Sequence, residues 1–209
     1  MSRCLIITSH IDGFRSIPEL RQEDWSEVIA ADGGLKLAEN LGLEPTALIG
    51  DYDSMEKPDR DDLILLPREK DMTDTEAALD LAVSRGHKDI VILGGLGGRF
   101  DHTMGNIGLL LKCADSGCRV SLEDGFNRVS VLNPGQYTVK RDRFYYLGLI
   151  AYGNPVIGLT VEGAKYPLND YTLPANTTLG VSNEILGSSA KLSFLSGRLM
   201  VIQSNDAKE

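Results

Sequence analysis

A length of 209 residues allows one large domain or two small ones, each able to bury a core. With 42% hydrophobic and 24% charged residues, the composition is ordinary for a soluble globular protein rather than a fibrous or low-complexity one. The formal net charge of −9 disfavours a polyanionic partner such as nucleic acid, although a local basic patch can still hold the phosphates of a small ligand.

Along residues 1–126, short apolar runs alternate with helical patterns, which predicts a mostly parallel sheet with flanking helices. Strands are expected at 4–8, 28–31, 47–49, 63–66, 90–93 and 120–122, and helices at 35–41, 73–85 and 103–114. The first run, Leu5-Ile6-Ile7, is too short for the apolar part of a secretory signal. The helix at 73–85 has the clearest signals. Thr73-Asp74-Thr75-Glu76 reads as a capping box, an alanine- and leucine-rich face follows, and Gly86 closes it. From residue 127 the pattern becomes β-rich and no helical period interrupts it. Strands are expected at 128–132, 137–140, 144–150, 158–161, 192–194 and 199–202. The expected fold is therefore α/β over 1–126, followed by an all-β sandwich domain over 127–209. No stretch approaches the ~18 apolar residues of a membrane span. Cys4, Cys113 and Cys118 are odd in number and lack a C-x-x-C pair, which argues against a disulfide framework or a zinc site and for a reducing cytoplasm.

Four acidic segments follow predicted strands or open helices: Ala31-Asp32-Gly33-Gly34, Gly50-Asp51-Tyr52-Asp53-Ser54, Lys70-Asp71-Met72-Thr73-Asp74 and the run from Gly94 to His102. Ligands of an open α/β sheet bind outside the carboxyl ends of its strands, so these segments would share one rim. If residues 51–53 continue a strand, Asp51 and Asp53 share a face and can share a hard cation; otherwise they form a solvated acidic turn. Asp32 is compatible with a simple N-cap, and Asp74 with the helix dipole, whereas Asp71 precedes the cap. Gly94, Gly95, Gly97 and Gly98 allow close approach to a ligand, and Arg99 and a helix N-terminus favour phosphate. His102 is either catalytic or an ordinary first-turn residue. His10 and His87 carry no motif, and the loops around Gly163 and Ser182 are ordinary turn chemistry taken alone.

Together, ADGGL, LIGDYDSM, KDMTDTEAAL, GGLGGRFDHTMGNI, EGAKYPL and GVSNEI, in this order, resemble the thiamine pyrophosphokinase family. The resemblance implies an α/β domain, a β-sandwich that binds thiamine, and a homodimer whose active sites join the first domain of one subunit to the second domain of the other. It implies transfer of pyrophosphate from ATP to the hydroxyethyl group of thiamine, with Mg²⁺, giving thiamine diphosphate and AMP. On the matching positions, Asp51, Asp53 and Asp71 are the metal and phosphate carboxylates, and Arg99 and Asp101 join them as catalytic residues. Asp32, Asp74, Gly97, Gly98, Arg99 and His102 belong around the nucleotide and thiamine, and Ser182 and Asn183 to the thiamine-side loop. The eukaryotic members' C-terminal tryptophan has no counterpart in Leu199-Met200-Val201-Ile202. A pyrophosphokinase for another primary alcohol, such as a hydroxymethylpterin, is the rival reading.

Overall fold

The computed structural model describes residues 3–52 and 59–206. The chain divides into two compact units, Met1–Gly125 and Phe126–Glu209.

In the first unit the strands are β1 (Arg3–Ile7), β2 (Glu27–Ala31), β3 (Ala47–Gly50), β4 (Leu63–Leu65), β5 (Asp89–Leu93) and β6 (Arg119–Glu123). The helices are α1 (Gly34–Asn40), α2 (Asp74–Ser84) and α3 (Phe100–Asp115). The strands lie in the order β6-β5-β1-β2-β3-β4, and every pairing is parallel. Unbroken apolar runs suit such a sheet because both faces are covered. Leu5 and Ile7 pack with Val28, Val91, Leu93 and Ala38 of α1. Ile6 alternates to the other face, is fully buried, and α2 lies against β1, β2 and β3. Each such leucine or isoleucine contributes about 1.5–3 kcal/mol by leaving water. Trp25 joins the α1-side cluster, with the Arg3 guanidinium 4.6 Å above its ring. At the start of α1, a Cβ on Gly34 would lie 2.0 Å from the Ile7 carbonyl oxygen, so only glycine lets the helix cross the end of β1.

The cap of α2 forms as expected on one side, since the Glu76 backbone N–H donates to the Thr73 hydroxyl at 3.2 Å. The Glu76 carboxylate accepts a bond from Lys112 of α3 at 3.0 Å, and Lys112 also reaches Asp80 at 2.7 Å. Gly86 takes φ +86° beyond the helix end, as a C′ glycine does. Helix α3 begins at Phe100, three residues before the expected start, because the Thr103 hydroxyl donates to the Gly97 carbonyl and its N–H to that of Arg99. Arg99 is the N-cap and Asp101 lies in the first turn.

The second unit is built from β7 (Asn127–Leu132), β8 (Gly135–Lys140), β9 (Tyr146–Ala151), β10 (Val156–Glu162), β11 (Leu168–Leu173), β12 (Asn183–Glu184), β13 (Ser189–Phe194) and β14 (Leu199–Ser204). Two antiparallel layers, β12-β9-β14-β7 and β11-β10-β13-β8, enclose one apolar core. Alternation drives it: Leu147, Leu149 and Ala151 of β9 point inward, as do Ala190, Leu192 and Phe194 of β13. Sequence patterning did not identify β11 and β12. The first is a largely exposed edge whose pairing shifts register, with Asp170 at φ +46°, and the second has two residues.

Candidate active site

In the first unit, β1 pairs with β2 on one side and β5 on the other. The strand order therefore reverses at β1, and the crevice beyond the carboxyl ends of β1 and β5 is where such a sheet binds ligands. The glycine loop lies there. A cleft of about 360 Å³ is lined by Thr8, Ser9 and His10 after β1, and by the backbone from Gly95 to Arg99 after β5. An adjoining cleft of about 270 Å³, sharing Thr8, Ser9, Thr75 and His102, extends to Asp32, Arg68, Lys70 and Asp74.

The loop has a conformation that side chains would block. Gly94, Gly95, Gly97 and Gly98 have φ of +97°, +74°, +75° and +60°. A Cβ on Gly97 would lie 1.7 Å from an Asp12 carboxylate oxygen. Buried Asn106 donates to the Gly95 carbonyl at 2.8 Å and holds the loop against α3. Arg99 is engaged with Asp101 at 2.5 Å through one guanidinium nitrogen and 3.2 Å through another. Both side chains are mostly exposed, at 74% and 65%. The Arg99 fork holds the Asp101 carboxyl below the usual range, with the His102 N–H adding to it. A solvated pair of this kind is weak.

The carboxylates gather around a lysine. Lys70 Nζ lies 2.8 Å from Asp51 and 3.3 Å from Asp74. Their side chains are only 14%, 15% and 23% exposed. Burial works against the Lys70 charge, but the two aspartates outweigh it and raise its pKa. For Asp74, burial raises the carboxyl, Lys70 opposes, and the charges of Asp51 and Asp32 add to the rise. Beneath them, burial first and then Asp32, Asp62 and Asp74 push the Tyr52 hydroxyl up to about 12. That hydroxyl is buried without a hydrogen-bond partner, whereas the buried Asp74 Oδ1 is the atom that meets Lys70. The strand does not continue through this segment: β3 stops at Gly50 and Tyr52 turns to φ +52°. Strand alternation therefore does not extend to Asp51 and Tyr52, and Asp53 lies outside the described residues. Asp32 takes φ +50° and its N–H donates to the Ile49 carbonyl at 2.8 Å, which sets it at the rim. Asp71 is exposed. Among the described residues, no three carboxylates at this rim have ligating atoms within 4.8 Å of one another.

The Asp74 shift carries a stability consequence. A carboxyl raised on folding binds more protons in the folded chain than in the unfolded one. Stability therefore falls as pH rises from the ordinary carboxylate value through the raised one. Asp74→Asn is expected to raise Tm at neutral pH, with the gain shrinking as pH falls and vanishing below about pH 3, where the carboxyl is protonated in both states. A lower Tm than the parent at pH ~7 would contradict this account.

Sequence reasoning passed over His10, which lines the cleft with its Nε2 3.0 Å from Asp12 Oδ1. It has no motif of its own, and only its place after the strand at the reversal point marks it. In the second unit, Ser182 is exposed at φ +60°. Asn183 is buried and fixes the neighbouring loop, donating to the Tyr166 carbonyl at 2.8 Å and accepting from the Tyr166 N–H at 3.0 Å. Glu184 accepts from Lys165 at 2.6 Å and from the Tyr145 hydroxyl at 2.9 Å. Tyr166, Tyr145 and Val181 expose apolar surface there.

Comparison with known proteins bears on both units. The model of the thiamin pyrophosphokinase catalytic domain matches residues 20–122, and that of its vitamin B1 binding domain matches residues 136–199. The thiamine pyrophosphokinase of Bacillus subtilis (strain 168) is 34% identical over 186 residues, 85% of this chain and 87% of that protein. A crystal structure of thiamine pyrophosphokinase from Bacillus subtilis has a TM-score of 0.87 at 30% identity and covers 99% of this chain and 100% of its own. One from Geobacillus thermodenitrificans has a TM-score of 0.84 at 36% identity, with 99% of each chain covered. With both domain models matched in order and the likeness running over nearly its whole length, the chain belongs to the thiamin pyrophosphokinase family.

Proposed function

We propose that the chain transfers the pyrophosphoryl group of ATP to the hydroxyethyl oxygen of thiamine, releasing thiamine diphosphate and AMP. The observation that carries this reading is the cleft at the β1/β5 reversal, where a positive-φ glycine loop adjoins the Asp51–Lys70–Asp74 cluster. Loop N–H groups and Arg99 would receive the phosphates, once Arg99 leaves Asp101. Lys70 would compensate carboxylate charge before substrate arrives and phosphate charge afterwards. The thiamine hydroxyl oxygen bonds to the β-phosphorus as the bond from that phosphorus to the α-phosphate oxygen breaks, so AMP leaves with that oxygen. The hydroxyl proton passes to a carboxylate. Asp71 and Asp101 are the candidates, the second once Arg99 has left it for the phosphates.

The rim also suits magnesium. Its donors are carboxylate oxygens, the ligands a hard cation takes, and the Asp51 and Asp74 side chains are little exposed. Asp51, Asp53 and Asp71 would hold the ion, with Asp74 beside them, and when bound it would neutralise phosphate charge. The second unit would supply the acceptor side through Ser182 and the loop that Asn183 fixes. The exposed Tyr145, Tyr166 and Val181 suit contact with thiamine or with a second copy in a homodimer. Three free, buried cysteines suit a reducing cytoplasm.

The deciding assay follows the nucleotide products of Mg-ATP with thiamine, with a hydroxymethylpterin, and with neither. AMP is expected with thiamine only. ATP consumed with the pterin alone, or hydrolysed without an acceptor, would overturn the proposal.

A further inference from the structure

At the opposite end of the same sheet, away from the glycine loop, a second group of side chains meets. Cys4 of β1 and Glu27 of β2 are partners in the parallel register, so their side chains leave the same face of the sheet. His87 lies between α2 and β5, three residues before Ile90, which pairs with Cys4 from the other side. Cys4 Sγ, a Glu27 carboxylate oxygen and a His87 ring nitrogen all lie within 4.8 Å of one another. The three residues are 0%, 9% and 8% exposed.

Part of this cluster is a charge network. Glu27 accepts from Arg85 through one oxygen, and its other oxygen is 2.6 Å from His87 Nε2. That network uses neither the Cys4 sulfur nor His87 Nδ1, which is buried without a hydrogen-bond partner. Burial, and then the Glu27 charge against the opposing Arg85, push the Cys4 thiol up to about 12, so without a cation it stays protonated and inert. Sulfur, imidazole nitrogen and carboxylate oxygen together form a borderline-soft donor set, which suits zinc far better than magnesium.

We propose that Cys4, Glu27 and His87 form a structural Zn²⁺ site, separate from the phosphate-binding rim, that ties β1, β2 and the segment entering β5 together. On binding, the Cys4 proton leaves to solvent. Sγ, one Glu27 oxygen and one His87 ring nitrogen each donate a lone pair to the ion, and the Glu27–His87 hydrogen bond opens. Water takes the fourth position, and Arg85 stays on the other Glu27 oxygen as an orienting partner.

Cobalt(II) is a spectroscopic stand-in for zinc, and the full chain, stripped of metal, is titrated with it. The expected result is a near-ultraviolet thiolate-to-cobalt charge-transfer band that saturates at one equivalent and is bleached by Zn²⁺. Cys4→Ser is expected to abolish the band, and the Cys113→Ser/Cys118→Ser double variant to keep it. Glu27→Gln and His87→Gln are expected to weaken binding roughly 10-fold or more. Absence of the band in the parent chain overturns the proposal without reference to any variant. So does a band that survives Cys4→Ser. Cobalt held by the rim aspartates gives no thiolate band, so the outcome is independent of the proposed magnesium site.

Discussion

Asp51→Asn is expected to lower kcat for thiamine-dependent AMP formation by ~10²-fold or more, the scale of losing one preorganised electrostatic contact at a reacting phosphate. Asp51 is poised for such a role by three features. It directly follows β3 at the carboxyl end of the sheet. Its side chain is only 15% exposed, where charge is weakly screened. It is held 2.8 Å from Lys70 rather than left to solvent. Asparagine keeps the shape and can still accept from Lys70, so the fold should survive while the charge is lost. Steady-state kinetics with AMP as the readout, beside a thermal melt, separate the two effects. Turnover near that of the parent in a folded Asp51→Asn chain would sink the proposed role of this carboxylate.

Gly94→Ala is expected to destabilise the chain by about 2–5 kcal/mol. This combines a left-handed backbone, at about 1–2 kcal/mol, with overpacking at about 1–3 kcal/mol. Gly94 takes φ +97°, and its Cβ would lie 2.2 Å from Thr8 Oγ1 and 2.3 Å from the His10 carbonyl oxygen. Backbone at the end of β1 cannot give way without moving the crevice itself. Against a total stability of typically 5–15 kcal/mol, the loss is large. Gly105→Ala is the contrast, since that glycine is inside α3 with nothing within 4 Å of its Cβ. A gain of about 0.5–1 kcal/mol is expected there. Urea unfolding midpoints of both variants test the pair, and equal midpoints would mean that the glycine loop is not constrained as described.

Features governed by near neighbours were legible in the sequence. Thr73 caps α2 because a threonine three residues before a backbone N–H can accept from it, whatever the rest of the fold does. The apolar run at Leu5-Ile6-Ile7 predicted a strand covered on both faces, and all three residues are buried. The glycine cluster announced a backbone that other residues resist, and all four of its glycines have positive φ. Failures came where a local rule was extended past its range. Of the two readings offered for the segment after Gly50, the continued strand did not hold at Asp51 and Tyr52, and α3 starts at Phe100, three residues before the expected position, held by the loop before it. Strand β11 was hidden because an irregular, exposed edge has no clean alternation.

The sequence by itself determined the parallel α/β part, the β-rich part, the α2 cap and the residue types of a phosphate site, because each depends on contacts a few residues apart. Only the tertiary structure decided which of those residues meet. Lys70 reaches Asp51 across 19 positions, and His87 reaches Glu27 across 60. Those distances are bridged by the order β5-β1-β2-β3, which places side chains from separate strand ends side by side. His87 showed no motif, and three cysteines without a paired spacing argued against zinc. Cys4, Glu27 and His87 became a candidate site only through strand register, which joins residues that no local spacing relates.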